Sequence, residues 1–193
     1  MVASRIAGIV LLIAGIYTVL TNFGSWQESR ASITPLTKQE MQNYESQQAQ
    51  PAKIDTAASQ EYEQGEEVAT LIIPKIQQKF TVYWGTDENT LGKGVGMFAS
   101  SLTTTPGQGH TVLSGHRDTV FAGLEQLETG DKLIVSYEEQ PYTYIIEKIW
   151  ITDEDDRTVI VEKKEPTLTL TTCYPFTYVG NAPDRYILQG KLL

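Results

Sequence analysis

Cysteine is almost absent from this chain, since Cys173 is the only one among 193 residues. A single thiol excludes an internal disulfide, and in an exported protein an unpaired cysteine is either a liability or a reactive group. Histidine is nearly as scarce, with His110 and His116 alone. These three residues lack the short paired spacing of a zinc site. We therefore expect neither a metal nor any other cofactor.

An excess of positive charge is also missing. The chain has 15 basic and 24 acidic residues, a net charge of −9 and a pI near 4.7. Binding to a phosphate backbone needs a basic surface, so we expect no nucleic acid partner. The length suits one ordinary domain with appendages and is too short for two full-sized domains.

A long uncharged apolar run occurs once, at residues 6–20, directly after Arg5. Apolar residues on both sides, up to Trp26, extend the run toward the roughly 20 residues that a spanning helix needs. Positive charge on the amino-terminal side favours a topology with the bulk of the chain outside the cell. We predict a single-pass membrane anchor at residues 1–26. A cleaved signal peptide is the alternative, although residues 18–23 form a poor cleavage site, and a buried helix is a third reading.

Residues 27–67 are rich in Gln, Glu, Ser and Ala, and their few apolar residues follow no sustained period. Pro35 and Pro51 would interrupt a long helix. This composition predicts a solvated extracytoplasmic stalk. A regulatory arm that covers a functional site stays open as an alternative.

The folded domain is predicted at residues 68–193, with a mainly β pattern. Short alternating or apolar runs separated by turn residues are typical of a barrel or a sandwich. Asp87 is placed to cap a short helix over residues 87–91. Strands are predicted at residues 69–73, 79–84, 111–114, 132–137, 143–151, 157–161, 168–173 and 186–193.

Cys173 ends the predicted strand at residues 168–173. Alternation puts Leu168 and Leu170 on one face and Cys173 on the other, with threonines. A structural cysteine behaves as a small apolar residue and would share the leucine face. The pattern therefore favours a reactive thiol. The adjoining Thr172 either lines a groove beside that thiol or is an ordinary strand threonine.

The two histidines bracket one predicted strand and lie six residues apart, so strand parity does not separate them. His116 follows Gly115 at the strand exit, where catalytic side chains are often displayed, and is our choice as the general acid and base. His110 is interpreted as structural. Three arginines lie in the folded domain. Arg157 follows an acidic run and reads as a solvated ion pair, whereas Arg185 begins the last strand and is placed to stabilise an oxyanion near Cys173.

Three motifs together resemble the sortases, which are membrane-anchored cysteine transpeptidases of Gram-positive bacteria. They are Leu-Ser-Gly-His-Arg-Asp at residues 113–118, Thr-Leu-Thr-Leu-Thr-Thr-Cys at residues 167–173, and Arg-Tyr at residues 185–186. The resemblance covers about residues 68–193, and the stretch at residues 173–186 is most similar to class D sortases. It implies a closed eight-stranded β-barrel with an active-site groove on its surface.

The resemblance also implies a reaction. Cys173 would attack the Thr carbonyl of a Leu-Pro-x-Thr-Gly or Leu-Pro-x-Thr-Ala sorting signal on a surface protein and form a thioester. His116 would protonate the departing amine and then deprotonate the incoming one, while Arg185 would stabilise the oxyanion. The implied acceptor is an amine of peptidoglycan or of its lipid-linked precursor. A pilin-polymerising sortase, a surface thiol protease and a non-enzymatic binding domain are the alternatives.

Overall fold

The computed structural model describes residues 2–47, 62–177, 180 and 182–193. Within them lie three α-helices: α1 (Val2–Ala31), α2 (Lys38–Gln47) and α3 (Glu88–Lys93). Two short 3₁₀ helices, Pro74–Ile76 and Leu124–Gln126, are also present. The strands are β1 (Ile33–Pro35), β2 (Glu67–Ile73), β3 (Gln78–Trp84), β4 (Val95–Met97), β5 (His110–Ser114), β6 (Lys132–Tyr137), β7 (Gln140–Asp153), β8 (Thr167–Tyr174) and β9 (Asp184–Leu192).

Strands β2 to β9 form a closed eight-stranded barrel, as predicted. Their order is β3-β2-β6-β7-β9-β8-β5-β4, and parallel pairing of β4 with β3 closes the ring. Strand β1 pairs with the first half of β3, beyond the barrel proper. Closure pairs the strand edges with one another and so fixes the relative positions of all strand ends.

The barrel interior is filled by inward-facing side chains, as the strand alternation predicts. Phe80 of β3 and Phe121 of the β5–β6 connection are fully buried and pack edge to face, with ring centroids 6.0 Å apart. Tyr144 is buried beside them in the same cluster. A filled interior leaves the outer surface and the strand ends as the places where a substrate can bind.

One predicted strand, at residues 157–161, is wrong. These residues turn within the connection between β7 and β8. The Asp156 carboxylate accepts hydrogen bonds from the backbone N–H of Thr158 (2.9 Å) and from its hydroxyl (2.7 Å). Such local side-chain bonds compete with a strand ladder and favour a turn. The apolar Val159 and Ile160, which suggested a strand, face a surface cavity instead.

Part of the predicted stalk packs against the barrel. Leu36, which is 7% exposed, lies in one apolar cluster with Ile72 of β2 and Ile134 of β6. Glu40 of α2 bonds to Thr37 at the start of the helix and pairs with Lys79 of β3. Lys79 and Thr37 together lower the pKa of Glu40 to about 2. The segment at residues 33–47 is thus attached to the barrel, while residues 48–61 lie outside the described part.

The amino-terminal segment is helical, and α1 extends past the predicted boundary at residue 26. Across the residues that the structure describes, no helix combines the length and apolar character that crossing a membrane requires. The membrane span predicted at residues 1–26 is therefore not found among the described residues.

His110 is structural, as interpreted from the sequence. Its ring is fully buried, and its Nδ1 lies 2.6 Å from the carbonyl oxygen of Val161. A carbonyl only accepts, so Nδ1–H donates and Nε2 accepts from the Thr169 hydroxyl at 2.8 Å. Burial lowers the pKa of His110, the Lys163 charge adds to this, and the bond to Val161 opposes it. The neutral ring thereby ties the β7–β8 connection to the barrel.

We predict that His110 makes stability depend on pH. Because its folded-state pKa is below the ordinary value, the unfolded chain takes up the proton first as pH falls through about 6.5. The free energy of unfolding should therefore decrease as pH falls below that value, by at most about 1.4 kcal/mol per pH unit. Urea unfolding between pH 5 and 8 measures it. His110→Asn should lack this component, and a pH-independent difference between the two proteins would contradict the assignment.

Candidate active site

The ends of three adjacent strands converge at one place on the barrel. Strands β5 and β8 are parallel, with Ser114 beside Thr171, so His116 and Cys173 each follow two residues later at the same end. Strand β9 is antiparallel to β8, and Arg185 is the direct partner of Cys173. The topology therefore brings together three residues that are far apart in the sequence.

His116, Cys173 and Arg185 line a single surface cavity of about 420 Å³. The apolar part of its wall comes from three places: the segment from β3 to β5, the β7–β8 connection, and β9. The apolar lining residues are Leu91, Phe98, Val159, Ile160 and Ile187. Polar wall residues from the end of β7 and the connection that follows it are Thr152, Asp153, Glu154 and Asp156.

Cys173 is a free, partly exposed thiol. It occupies the penultimate position of β8, and its backbone is held in the ladder with β9 opposite Arg185. A partly exposed thiolate is the nucleophilic form of cysteine. The position combines a rigid backbone with a sulfur atom that a substrate in the cavity can reach.

The backbone around His116 is fixed by close packing. A Cβ added at Gly115 would lie 2.7 Å from the Val120 side chain and 2.9 Å from that of Phe121, so only glycine fits. The Phe121 N–H donates to the His116 carbonyl at 3.0 Å. The Gly115 N–H donates to the Thr171 carbonyl at 3.3 Å, which extends the β5–β8 pairing one residue toward His116.

Thr172, the predicted substrate-binding residue, also lines the cavity. It is only 3% exposed, and its hydroxyl donates to the Gly115 carbonyl at 2.7 Å. This hydrogen bond joins the residue before Cys173 to the residue before His116. The hydroxyl thus links β8 to the residue that follows β5. Direct contact between Thr172 and a substrate stays a prediction.

Three hydrogen bonds hold the Arg185 side chain. Its Nη1 donates to the carbonyls of Ala182 and Asp184, both at 3.0 Å. Its Nη2 donates to Oε2 of Glu154 at 2.9 Å. Sequence reasoning missed Glu154, because the acidic run at residues 153–156 was interpreted as solvated.

Sequence reasoning also missed the contribution of Arg117 to the loops around the cavity. Arg117 is buried, at 9% exposure, and its Nη2 donates to the Gly180 carbonyl at 2.8 Å. It therefore links the loop after His116 to the loop between Cys173 and Arg185. Its place directly after a candidate catalytic histidine was the available signal.

The acidic wall is organised by hydrogen bonds of its own. Asp156 accepts from the Thr152 hydroxyl at 2.5 Å, and this bond, with those from Thr158, lowers the pKa of Asp156. Asp153 accepts from the Asp155 N–H at 2.8 Å. In the part of the chain that the structure describes, no group of three or more His, Cys, Asp or Glu side chains is arranged to hold a metal ion.

Comparison with known proteins assigns this barrel to a protein family. The sortase domain model matches residues 71–193. Sortase D of Bacillus subtilis (strain 168) is 47% identical over 137 residues, which are 69% of this chain and 68% of the relative. Sortase A of Listeria monocytogenes is 27% identical over 68% of this chain and 59% of the relative.

Solved structures agree with this assignment. The catalytic domain of B. anthracis SrtD is 59% identical, with a TM-score of 0.61 over 73% of this chain and 97% of that domain. A Clostridium perfringens Sortase D5 transpeptidase is 28% identical, with a TM-score of 0.62 over 69% of this chain and 82% of that structure. The chain belongs to the sortase family and is class D-like.

Proposed function

We propose that this sortase is a cysteine transpeptidase that attaches surface proteins to the cell wall through a thioester on Cys173. The observation that carries the proposal is the shared cavity of Cys173, His116 and Arg185, built from the ends of three neighbouring strands. A nucleophile, a proton carrier and a fixed cation around one cavity are the groups that acyl transfer requires.

In the first half-reaction the Cys173 thiolate attacks the Thr carbonyl carbon of the sorting signal. The C–N bond to the following Gly or Ala then breaks, and protonated His116 gives its proton to the departing amine. Within the described residues no carboxylate or amide side chain bonds to the His116 ring. The thiolate–imidazolium pair therefore lacks the third group that orients the histidine in many triads.

In the second half-reaction an acceptor amine attacks the thioester carbonyl. Neutral His116 takes the proton from the amine, the C–S bond breaks, and the thiolate is regenerated as the new amide forms. The proposed acceptor is an amine of peptidoglycan or of its lipid-linked precursor. An acidic cavity wall containing Asp153 and Asp156 favours the approach of an ammonium group over that of an anion, and the ammonium loses one proton to solvent before it attacks.

Arg185 is proposed to stabilise the oxyanion in both half-reactions. A guanidinium has five N–H donors. Three of them are used by Ala182, Asp184 and Glu154. Among the described residues no acceptor is bonded to the Nε–H or to one Nη2–H, so these are the donors that we assign to the developing negative charge. A guanidinium stays charged throughout the reaction.

The proposed substrate is a surface protein with a Leu-Pro-x-Thr-Gly or Leu-Pro-x-Thr-Ala signal. Leu91, Phe98, Val159 and Ile160 supply apolar surface on the cavity wall, which suits the Leu and Pro side chains. The apolar pair Val159 and Ile160 lies on the β7–β8 connection, whose position depends on the buried bond from His110 to Val161.

Membrane attachment through α1 is part of the same proposal. The large apolar side chains at residues 6–20 of α1 are 52–74% exposed. Exposed apolar surface on this scale is typical of a membrane or protein contact. The Thr18 hydroxyl bonds back to the Ala14 carbonyl at 2.7 Å, so it needs no water partner. The barrel would then act outside the cell on membrane-held substrates.

We predict that Cys173→Ala abolishes both the thioester and the ligated product. His116→Ala and Arg185→Ala should each lower kcat/KM by roughly 10²- to 10⁴-fold, because general acid–base catalysis and oxyanion stabilisation contribute on that scale. Mass spectrometry of products from a panel of sorting peptides and amines measures ligation and hydrolysis separately.

Arg157→Ala is the matched control for Arg185, since Arg157 is an exposed arginine outside the cavity lining, and it should keep full activity. Ligation by Cys173→Ala would remove the thiol from the mechanism. Release of peptide to water at the same rate with and without amine would instead identify a surface protease.

We predict that Thr172→Val destabilises the barrel and slows catalysis. Thr172→Ser keeps the hydroxyl and should have a smaller effect on both stability and rate. Valine leaves the buried Gly115 carbonyl without its hydrogen bond, at a cost of about 1–3 kcal/mol in unfolding free energy. Chemical unfolding and the ligation assay measure both effects. Equal behaviour of the two variants would show that the hydroxyl does not support this site.

We predict that charge in α1 weakens membrane binding. Leu11 and Leu12 are 74% and 64% exposed, and a Lys pair at these positions should reduce co-flotation of the full chain with phospholipid vesicles. Leu102→Lys, at an exposed position of the barrel, is the control and should float as the parent does. Unchanged flotation of the α1 variant would exclude α1 as the anchor.

A further inference from the structure

Glu154 contacts the Arg185 segment twice, once through its side chain and once through its backbone. Its Oε2 accepts from Nη2 of Arg185 at 2.9 Å. Its backbone N–H donates to the Pro183 carbonyl at 3.0 Å. Both contacts join the start of the β7–β8 connection to the residues that lead into β9. Glu154 also lines the cavity beside Cys173.

The three bonds to Arg185 fix the plane of its guanidinium. Nη1 is held by two backbone carbonyls of the preceding turn, and Nη2 is held from another element by Glu154. Because the group is planar, restraint at both terminal nitrogens also sets the direction of the Nε–H. The charge-assisted bond to Glu154 is the one that comes from outside the arginine's own turn.

The other acidic residues of the run have different partners. Asp156 is bonded to Thr152 and Thr158, and Asp153 accepts from the backbone of Asp155. The Arg185 ion pair in the described residues is with Glu154. The two side chains are 30% and 42% exposed, so the pair contributes little to stability. The main effect of this ion pair is therefore to orient the Arg185 guanidinium.

We propose that Glu154 is a positioning residue that orients the Arg185 guanidinium toward the oxyanion. This inference rests on the proposed role of Arg185. Since the oxyanion exists only during the reaction, a misdirected guanidinium should lower kcat and leave KM nearly unchanged. Preorganised donors are effective because they need no reorganisation when charge develops.

The test is a double-mutant cycle in the full chain, measured by amine ligation. Glu154→Ala should lower kcat roughly 10-fold or more, since misplacing a catalytic group by about 1 Å can cost ~10²-fold. KM should change less than about twofold. Glu154→Gln keeps an acceptor oxygen and should retain more activity than Glu154→Ala. Asp155→Ala, an exposed neighbour outside the cavity lining, is the matched control and should match the parent.

The decisive comparison uses the Arg185→Ala background. There, Glu154→Ala should cost less than about twofold, because no guanidinium remains to be oriented. Equal losses in both backgrounds, a change in KM alone, or full activity of Glu154→Ala would overturn the positioning role. Full activity of Arg185→Ala alone would instead refute the proposed oxyanion role, and the cycle thus separates the two failures.

Discussion

The lateral hydrogen bonding of three strands, β5, β8 and β9, is the constraint on which the site depends. Parallel pairing of β5 with β8 sends His116 and Cys173 out of the barrel at the same end. Antiparallel pairing of β8 with β9 sets Arg185 opposite Cys173. A register shift of one residue would turn these side chains to the other face of the sheet. The strand pairing that closes the barrel therefore also sets the geometry of the cavity.

Beside this ladder, hydrogen bonds from three side chains hold the segments that the ladder does not reach. The Thr172 hydroxyl joins β8 to Gly115, and Arg117 joins the loop after His116 to Gly180. His110 holds the connection that carries part of the apolar wall. The bond from Thr172 is buried and those from Arg117 and His110 are partly buried, so each contributes to folding and to site geometry together. Glu154 extends this arrangement to the guanidinium itself.

The sequence predicted most strands by their alternation and left a barrel or a sandwich open, whereas the closed barrel and the meeting of three residues were implied by the resemblance of its motifs to sortases. It was insufficient where local pattern and tertiary contact compete. Residues 157–161 look like a strand, but Asp156 turns them. Leu36 sits in a polar stretch, yet it packs on Ile72. The partner of Arg185 could not be read, since any of four acidic residues at 153–156 had the right charge.

The central claim is that sulfur, imidazole and guanidinium act on one scissile amide. A crystal structure of the protein with a thiol-reactive sorting-peptide analogue on Cys173 tests it most directly. The account predicts the carbonyl oxygen of the analogue at about 2.7–3.1 Å from Arg185 nitrogens, with its leaving-group side toward His116. A carbonyl oxygen bound by other donors, with every Arg185 nitrogen out of hydrogen-bonding range, would contradict the account.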